Sequence, residues 1–223
     1  MKLGDHSIKP TKIICLGRNY VEHAKEMKAK IPKEPIFFVK TLNTLVTNGN
    51  PIIYPKLLYN TQEYNRVDHE VELAFIVSNT CKNIQSEHAY EYIEGYTIFL
   101  DITARKMQIS DRNINLPWYR SKNFDTFGPI GPRITPCSEI EDPHNLELQL
   151  KINGEVRQHS NTKYLIFKIP ETLAFLSKFI TLVPGDIIAT GTPSGVGPIQ
   201  PRDLIEASIE QIGKITHKVI LEE

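Results

Sequence analysis

Val67-Asp68-His69-Glu70-Val71-Glu72-Leu73-Ala74-Phe75-Ile76-Val77 is the stretch on which the fold turns. Val67, His69, Val71, Leu73, Phe75 and Val77 fall on one face of an extended chain; Asp68, Glu70, Glu72, Ala74 and Ile76 fall on the other. A period of two marks a β-strand with one face on a core, so one strand is predicted over 67–77. Glu70 and Glu72 then point the same way, roughly 6–7 Å apart, and Asp68 adds a third acid to that face. At an effective dielectric near 20, two carboxylates so placed repel by about 2–3 kcal/mol. The plain reading is the solvated polar face of a half-buried antiparallel strand. The chemical reading is a divalent-cation site, because hard cations such as Mg²⁺ take carboxylate oxygens and relieve the repulsion.

Working outward, short apolar runs bounded by glycine and proline predict further strands at Lys12–Leu16, Ile36–Val39, Ile52–Tyr54 and Gly95–Ile102. Leu146–Ile152 and Glu155–His159 flank Asn153-Gly154, the strongest local signal for a hairpin. Asp186–Ala189, Asp203–Gln211 and Ile215–Leu221 complete the strands. Helices are predicted at Asn19–Lys28, Ser86–Ile93, from Thr103 to Ser110, and at Pro170–Phe179, where proline stands near the first turn. Strands outnumber helices and strict βαβ alternation is absent, which points to one β-rich α+β domain spanning residues 1–223. Asp101 interrupts the run Tyr96–Ile102, where an unpaired carboxylate is costly to bury. It reads either as a cap for the segment that follows or as a third ligand beside Glu70 and Glu72.

The 223 residues carry 26 Lys+Arg against 26 Asp+Glu, a formal net charge of zero. No basic run exceeds two residues, which argues against nucleic acid and against an anionic membrane surface as partners. Cys15, Cys81 and Cys137 are odd in number and far apart, giving neither a disulfide framework nor a metal knuckle. Met1–Lys12 lacks the apolar stretch of a signal peptide, and no apolar run approaches the ~18 residues of a membrane span. A cytoplasmic enzyme or binding domain is the expectation.

His69-Glu70-Val71-Glu72-Leu73, Gly95-Tyr96 and Leu100-Asp101-Ile102-Thr103-Ala104-Arg105 together resemble the fumarylacetoacetate hydrolase family. Gly17-Arg18-Asn19-Tyr20 with His23 and Glu26, then Gln108, then Lys122 after Leu116-Pro117-Trp118, and Thr190-Gly191-Thr192-Pro193-Ser194-Gly195-Val196-Gly197 extend the likeness across residues 12–221. Within the family the chain resembles the short, single-domain members that act on acylpyruvates and oxaloacetate. The resemblance implies a mixed β-sandwich or β-roll of the fumarylacetoacetate hydrolase C-terminal-domain type, and a homodimer. It implies Mg²⁺ or Mn²⁺ on Glu70, Glu72 and Asp101. Arg18, Arg105, Gln108 and Thr190 would bind substrate, with Lys122 at a developing oxyanion. His23 and Glu26 would form a catalytic pair on a lid around residues 18–34.

The activity so implied is carbon–carbon cleavage of a small 2-oxo acid through an enolate that the cation stabilises. Acylpyruvate hydrolysis and oxaloacetate decarboxylation are its two forms. The alternative keeps the bond and moves a proton, as an isomerase or tautomerase of 2-oxo or 2-hydroxy-diene dicarboxylic acids. A non-catalytic metal-stabilised domain would suit the three acids but gives Arg105, Gln108 and Lys122 no reason to converge. The glycine loop 190–197 lacks the lysine and following helix of a nucleotide cradle. Two positions depart from the family pattern: Thr41, where proline is common after the lysine corresponding to Lys40, and Lys106, where an acid is frequent.

Overall fold

In a computed structural model that describes residues 1–26 and 30–223, the alternating stretch 67–77 divides into two strands instead of one. The chain first runs through β1 (Lys2–Leu3), β2 (His6–Ser7), β3 (Ile13–Gly17), α1 (Val21–Glu26), β4 (Ile36–Lys40), β5 (Leu45–Thr47), β6 (Ile52–Tyr54) and α2 (Lys56–Asn60). β7 (Val67–His69), β8 (Val71–Val77), β9 (Ile93–Leu100), β10 (Thr103–Ala104), α3 (Arg105–Asn113), α4 (Tyr119–Lys122) and β11 (Gly128–Pro136) follow. The last third holds β12 (Glu147–Ile152), β13 (Glu155–Asn161), α5 (Ile169–Phe179), β14 (Ile187–Ala189), β15 (Gly197–Ile199), β16 (Leu204–Ile209) and β17 (Gly213–Leu221).

A mixed seven-stranded sheet in the order β4-β3-β14-β8-β9-β11-β5 packs on a five-stranded sheet in the order β13-β12-β16-β17-β6. The main core lies between them: Val71, Leu73 and Phe75 of β8 belong to the same buried cluster as Leu148, Leu150, Ile205 and Ile215. A second cluster forms on the other side of the larger sheet, where Ala74, Ile76, Cys15 and Ile187 meet Leu3 and Ile8. Every residue from Val67 to Val77 is therefore buried, and the solvated polar face of the plain reading does not exist. Such a β-rich sandwich-like roll is the expected fold class.

β7 leaves the larger sheet to pair with β10 and β15, whereas β8 pairs with β9 and β14. Glu70 stands at the switch. Asp101 stands at the matching switch between β9 and β10, and its N–H donates to the Glu70 carbonyl at 2.9 Å. Asp101 caps no helix; α3 begins only at Arg105.

Local chemistry explains other elements. Asn153 and Gly154 have φ of 53° and 83°, the positive pair of a type I′ hairpin turn between β12 and β13. Pro170 sits in the first turn of α5, and Glu171 accepts from the Lys168 N–H at 3.1 Å. Ser86–Tyr92 is a 3₁₀ segment where a helix was expected. The expected helix at Asn19–Lys28 is realised as α1; Met27, Lys28 and Ala29, part of that helix and of the expected lid, lie outside the described residues. The three cysteines are unpaired, as expected. No helix among the described residues is long and apolar enough to cross a membrane.

Candidate active site

The two sheet-switch positions bring Glu70 and Asp101 beside Glu72, the second residue of β8. One oxygen from each carboxylate lies within 4.8 Å of the others, and all three side chains are buried. Three ammonium or guanidinium groups meet them. Lys122, at the end of α4, donates to Glu70 Oε2 at 3.1 Å and to Asp101. Lys40, the last residue of β4 and fully buried, donates to Asp101 Oδ1 at 2.8 Å and to the Ile102 carbonyl at 3.1 Å. Arg105, first in α3, pairs with Glu70 and donates from Nη1 to Gln108 Oε1 at 2.6 Å.

Asp68 does not join the three acids, although the alternation puts it on their face. It turns to Arg66 Nε at 2.8 Å and Arg105 Nε at 2.9 Å, holding the Arg105 fork in place. Among the described residues Glu72 has no cationic partner; its carboxylate accepts from the Gly191 N–H at 2.8 Å. Burial, followed by the charges of Asp101 and Glu70, pushes its carboxyl well above the ordinary range. Burial acts on Glu70 the same way, but Lys122 and Arg105 outweigh it and hold that carboxyl below the ordinary range. Burial lowers the Lys122 ammonium, and Asp101 and Glu70 more than restore it, so it is raised overall and stays charged. A buried trio of hard oxygen donors, one of which lacks a counter-charge, fits a divalent cation.

Glu70 and Glu72 form part of the lining of a cavity of about 340 Å³ whose walls include Arg18, His23, Phe38, Gln108, Arg112, Trp118 and Thr192. Phe38 packs edge-on against Trp118 and lies under the Lys122 ammonium, 4.8 Å from Nζ to the ring centre. His23 and Glu26 meet at 3.2 Å through Nδ1 and Oε2 on one side of α1, and Glu26 Oε1 accepts from the Gly195 N–H at 3.2 Å. Thr190 is placed differently from expectation. Its N–H and its hydroxyl both donate to the Leu73 carbonyl at 2.9 Å, and Thr192 lines the cavity in its stead.

Sequence reasoning missed Lys40 and the role of Asp68. A lysine directly after the apolar run Ile36–Val39 was the available signal for the first; Arg66, two residues before Asp68, was the signal for the second. Both departures from the family pattern have structural explanations. The Thr41 N–H, which proline would lack, donates to Asn123 Oδ1 at 2.6 Å beside Lys122. Lys106 reaches the Gln62 carbonyl at 2.9 Å and Asn65 Oδ1 at 2.7 Å, pinning the preceding turn.

Residues 12–220 match the protein family described as fumarylacetoacetate (FAA) hydrolase, C-terminal. The chain is 42% identical over 209 residues to the mitochondrial oxaloacetate tautomerase FAHD1 of Arabidopsis thaliana, covering 94% of this chain and 91% of that protein. Fumarylpyruvate hydrolase from Pseudomonas aeruginosa, solved with Mn²⁺ and pyruvate, superposes with a TM-score of 0.90 at 32% identity, covering 99% of this chain and 95% of that one. A 5-carboxymethyl-2-hydroxymuconate delta-isomerase from Mycobacterium smegmatis superposes with a TM-score of 0.85 at 38% identity, covering 97% and 81%.

Proposed function

This chain belongs to the fumarylacetoacetate hydrolase family, whose members include hydrolases and isomerases, and we propose that it interconverts the keto and enol forms of a small 2-oxo acid of the oxaloacetate kind. The carrying observation is His23 on the cavity wall with Nδ1 held by Glu26. When Nδ1–H donates to that carboxylate, Nε2 is the ring atom left to accept a proton. Nε2 takes a proton from C3 and a proton returns to the C2 oxygen, so the reaction is a balanced 1,3-shift. A divalent cation, Mg²⁺ or Mn²⁺, held by Glu70, Glu72 and Asp101 supplies Lewis acidity at the 2-oxo group when bound.

This chain's own groups do the rest. Lys122 presents a buried positive charge to the developing oxyanion, where low dielectric strengthens it. Arg105, fixed by Asp68 and Gln108, holds the substrate carboxylate with Arg18. α1 acts as the lid, with the Glu26–Gly195 contact as its catch. What supports proton transfer over the carbon–carbon cleavage favoured by sequence alone is the similarity to an oxaloacetate tautomerase along 94% of this chain. Acylpyruvate hydrolysis stays as a second reading because the same His23–Glu26 pair is built to activate a water. A homodimer and a cytoplasmic location belong to the same proposal.

The test follows oxaloacetate enol absorbance with Mg²⁺ or Mn²⁺, beside pyruvate release from acylpyruvates and CO₂ release from oxaloacetate. Accelerated relaxation of the enol, lost in Lys122→Ala, is the expected result. Relaxation no faster than in buffer with metal refutes the reading.

A further inference from the structure

β14 pairs with β8 only as far as Ala189, opposite Ala74. Past that point the backbone of Leu73 and Val71, on either side of Glu72, still needs partners on the same side. Side chains take over from the strand. The Thr190 N–H and hydroxyl donate to the Leu73 carbonyl, and the Thr192 hydroxyl donates to the Val71 carbonyl at 2.9 Å. The Val71 N–H donates to Gln158 Oε1 at 3.1 Å.

Gln158 comes from the other sheet. On β13 the register with β12 shifts, Leu150 facing Gln158 and Lys151 facing Val156, so that Arg157 is the extra residue of a bulge. A bulge re-aims the side chains beside it. Gln158 is buried here, whereas Glu155, Val156, Arg157 and His159 around it are exposed. A buried amide is costly unless its hydrogen-bonding positions are filled, and all four are. Oε1 accepts from the Val71 N–H and from His69 Nδ1, the latter at 3.0 Å; Nε2 donates to Thr192 Oγ1 at 2.8 Å and to the Pro193 carbonyl at 3.0 Å. The amide can face only this way, since an N–H only donates and a carbonyl only accepts. His69 therefore carries a proton on Nδ1, and its place beside Glu70 is that of second donor to the Gln158 oxygen.

These contacts tie together two parts of the site. One is Val71, gripped at both its N–H and its carbonyl between Glu70 and Glu72. The other is the loop 190–197, whose Gly191 N–H is left to donate to Glu72 at 2.8 Å. A Cβ on Gly195 would run into the Arg157 carbonyl, so the loop sits directly on the bulge. We propose that Gln158 is a positioning residue of the cation site: by bridging Val71 and Thr192 it fixes Glu70 and Glu72 against the loop that hydrogen-bonds Glu72. This role rests on the cation reading of the three acids above.

The competing role is purely structural, a buried amide that only joins two sheets. Calorimetric titration with Mn²⁺ alone separates the two, on protein that circular dichroism shows to be folded. It reads the affinity of the folded state, which a structural contact leaves unchanged while lowering the melting temperature. Gln158→Met, similar in length but without hydrogen bonds, weakens Mn²⁺ binding about 10- to 100-fold, the usual effect of removing a group that orients a metal ligand. Thr192→Val, which keeps the shape and loses the hydroxyl, does the same, and Thr192→Ser retains wild-type affinity. The double variant binds no more weakly than the weaker single one, because both substitutions break one unit. Unchanged affinity in Gln158→Met and Thr192→Val with a lowered melting temperature overturns the proposal. So do losses that add in the double variant, and a Thr192→Ser protein as weak as Thr192→Val. If Gln158→Met does not fold, the Thr192 pair decides. Wild-type protein that takes up no Mn²⁺ refutes the cation site and this role together; uptake that the variants keep refutes this role alone, and keto–enol exchange enters neither result.

Discussion

Glu72→Gln should produce a protein that melts higher than wild type in chelator and lower than wild type in saturating Mg²⁺ or Mn²⁺. Glu72 is 1% exposed, and among the described residues it is the one acid of the trio without a cationic hydrogen-bond partner. With these oxygens within 4.8 Å of one another and an effective dielectric near 20, each carboxylate pair repels by at least about 3.5 kcal/mol. Lys122, Arg105 and Lys40 offset much of the repulsion felt by Glu72 from Glu70 and Asp101. A net gain of about 1–2 kcal/mol on neutralising Glu72 is expected, and the amide oxygen can still accept from Gly191. For a chain of this size that is roughly 2–8 °C in melting temperature. Cation at about 100 times its dissociation constant stabilises wild type by about 2.7 kcal/mol, or roughly 5–10 °C. If the substitution weakens binding about 100-fold, the same concentration contributes only about 0.4 kcal/mol, near 1 °C. Scanning calorimetry in chelator and across a metal titration reads both numbers, and the two curves should cross. A lower melting temperature in chelator, or a metal shift as large as wild type's, refutes the argument that these acids form a cation site.

His23→Ala should lower keto–enol exchange and acylpyruvate hydrolysis by about 10²- to 10⁴-fold, the usual contribution of a positioned base. Oxaloacetate decarboxylation needs no base at C3 and should fall far less; equal losses in all three assays would mean that His23 acts by closing the lid. Asp68→Asn leaves Arg105 short of its buried anionic partner at 2.9 Å, so KM should rise about tenfold and stability drop by about 2–4 kcal/mol, with unchanged KM and melting temperature counting against a positioning role. His217 is buried, its Nδ1 meets the Asn50 carbonyl at 2.8 Å, and burial lowers its pKa. The folded state thus keeps it neutral where the unfolded chain takes up a proton, and stability is full above about pH 6.5 and declines as pH falls below that value. His217→Asn should flatten that decline by up to one proton, about 1.4 kcal/mol per pH unit, in urea titrations at pH 5.5 and 7.5; an unchanged slope would show that His217 titrates alike in both states.

How much of this was legible in the sequence depends on whether the determinant was local. The hairpin at Asn153-Gly154 was, because a type I′ turn is specified by two adjacent residues. The helix at Ile169–Phe179 was, because proline and apolar spacing both act within a few turns. Strand periodicity located Glu70 and Glu72 as well, and a break in an apolar run located Asp101, but the periodicity misjudged their setting. Alternation assumes that a strand stays in one sheet, whereas the chain changes sheets at Glu70 and again around Asp101. A sheet change is decided by pairing partners far away in sequence, and no local pattern encodes it.

The same event explains why the site works as an assembly. At each switch the regular ladder stops, and the backbone closes across the gap through the Asp101 N–H and the Glu70 carbonyl. Glu70 and Asp101 are thereby drawn toward Glu72, while Asp68, one pleat earlier and in the other sheet, faces Arg66 and Arg105. A strict period of two puts Asp68, Glu70 and Glu72 in one row; the break in the ladder splits that row into two acids that join Asp101 and one that holds Arg105. Lys40 follows the same logic from the opposite side. It ends β4, an edge strand of the larger sheet, yet the pairing of β4 with β3 carries its ammonium to Asp101, and among the described residues its partners are Asp101 and the Ile102 carbonyl. Apart from Thr190, whose place on the cavity wall Thr192 takes, and Glu26, which holds His23, the residues legible in advance line the cavity or the acid cluster, and Lys40 and Asp68, visible only in three dimensions, orient them.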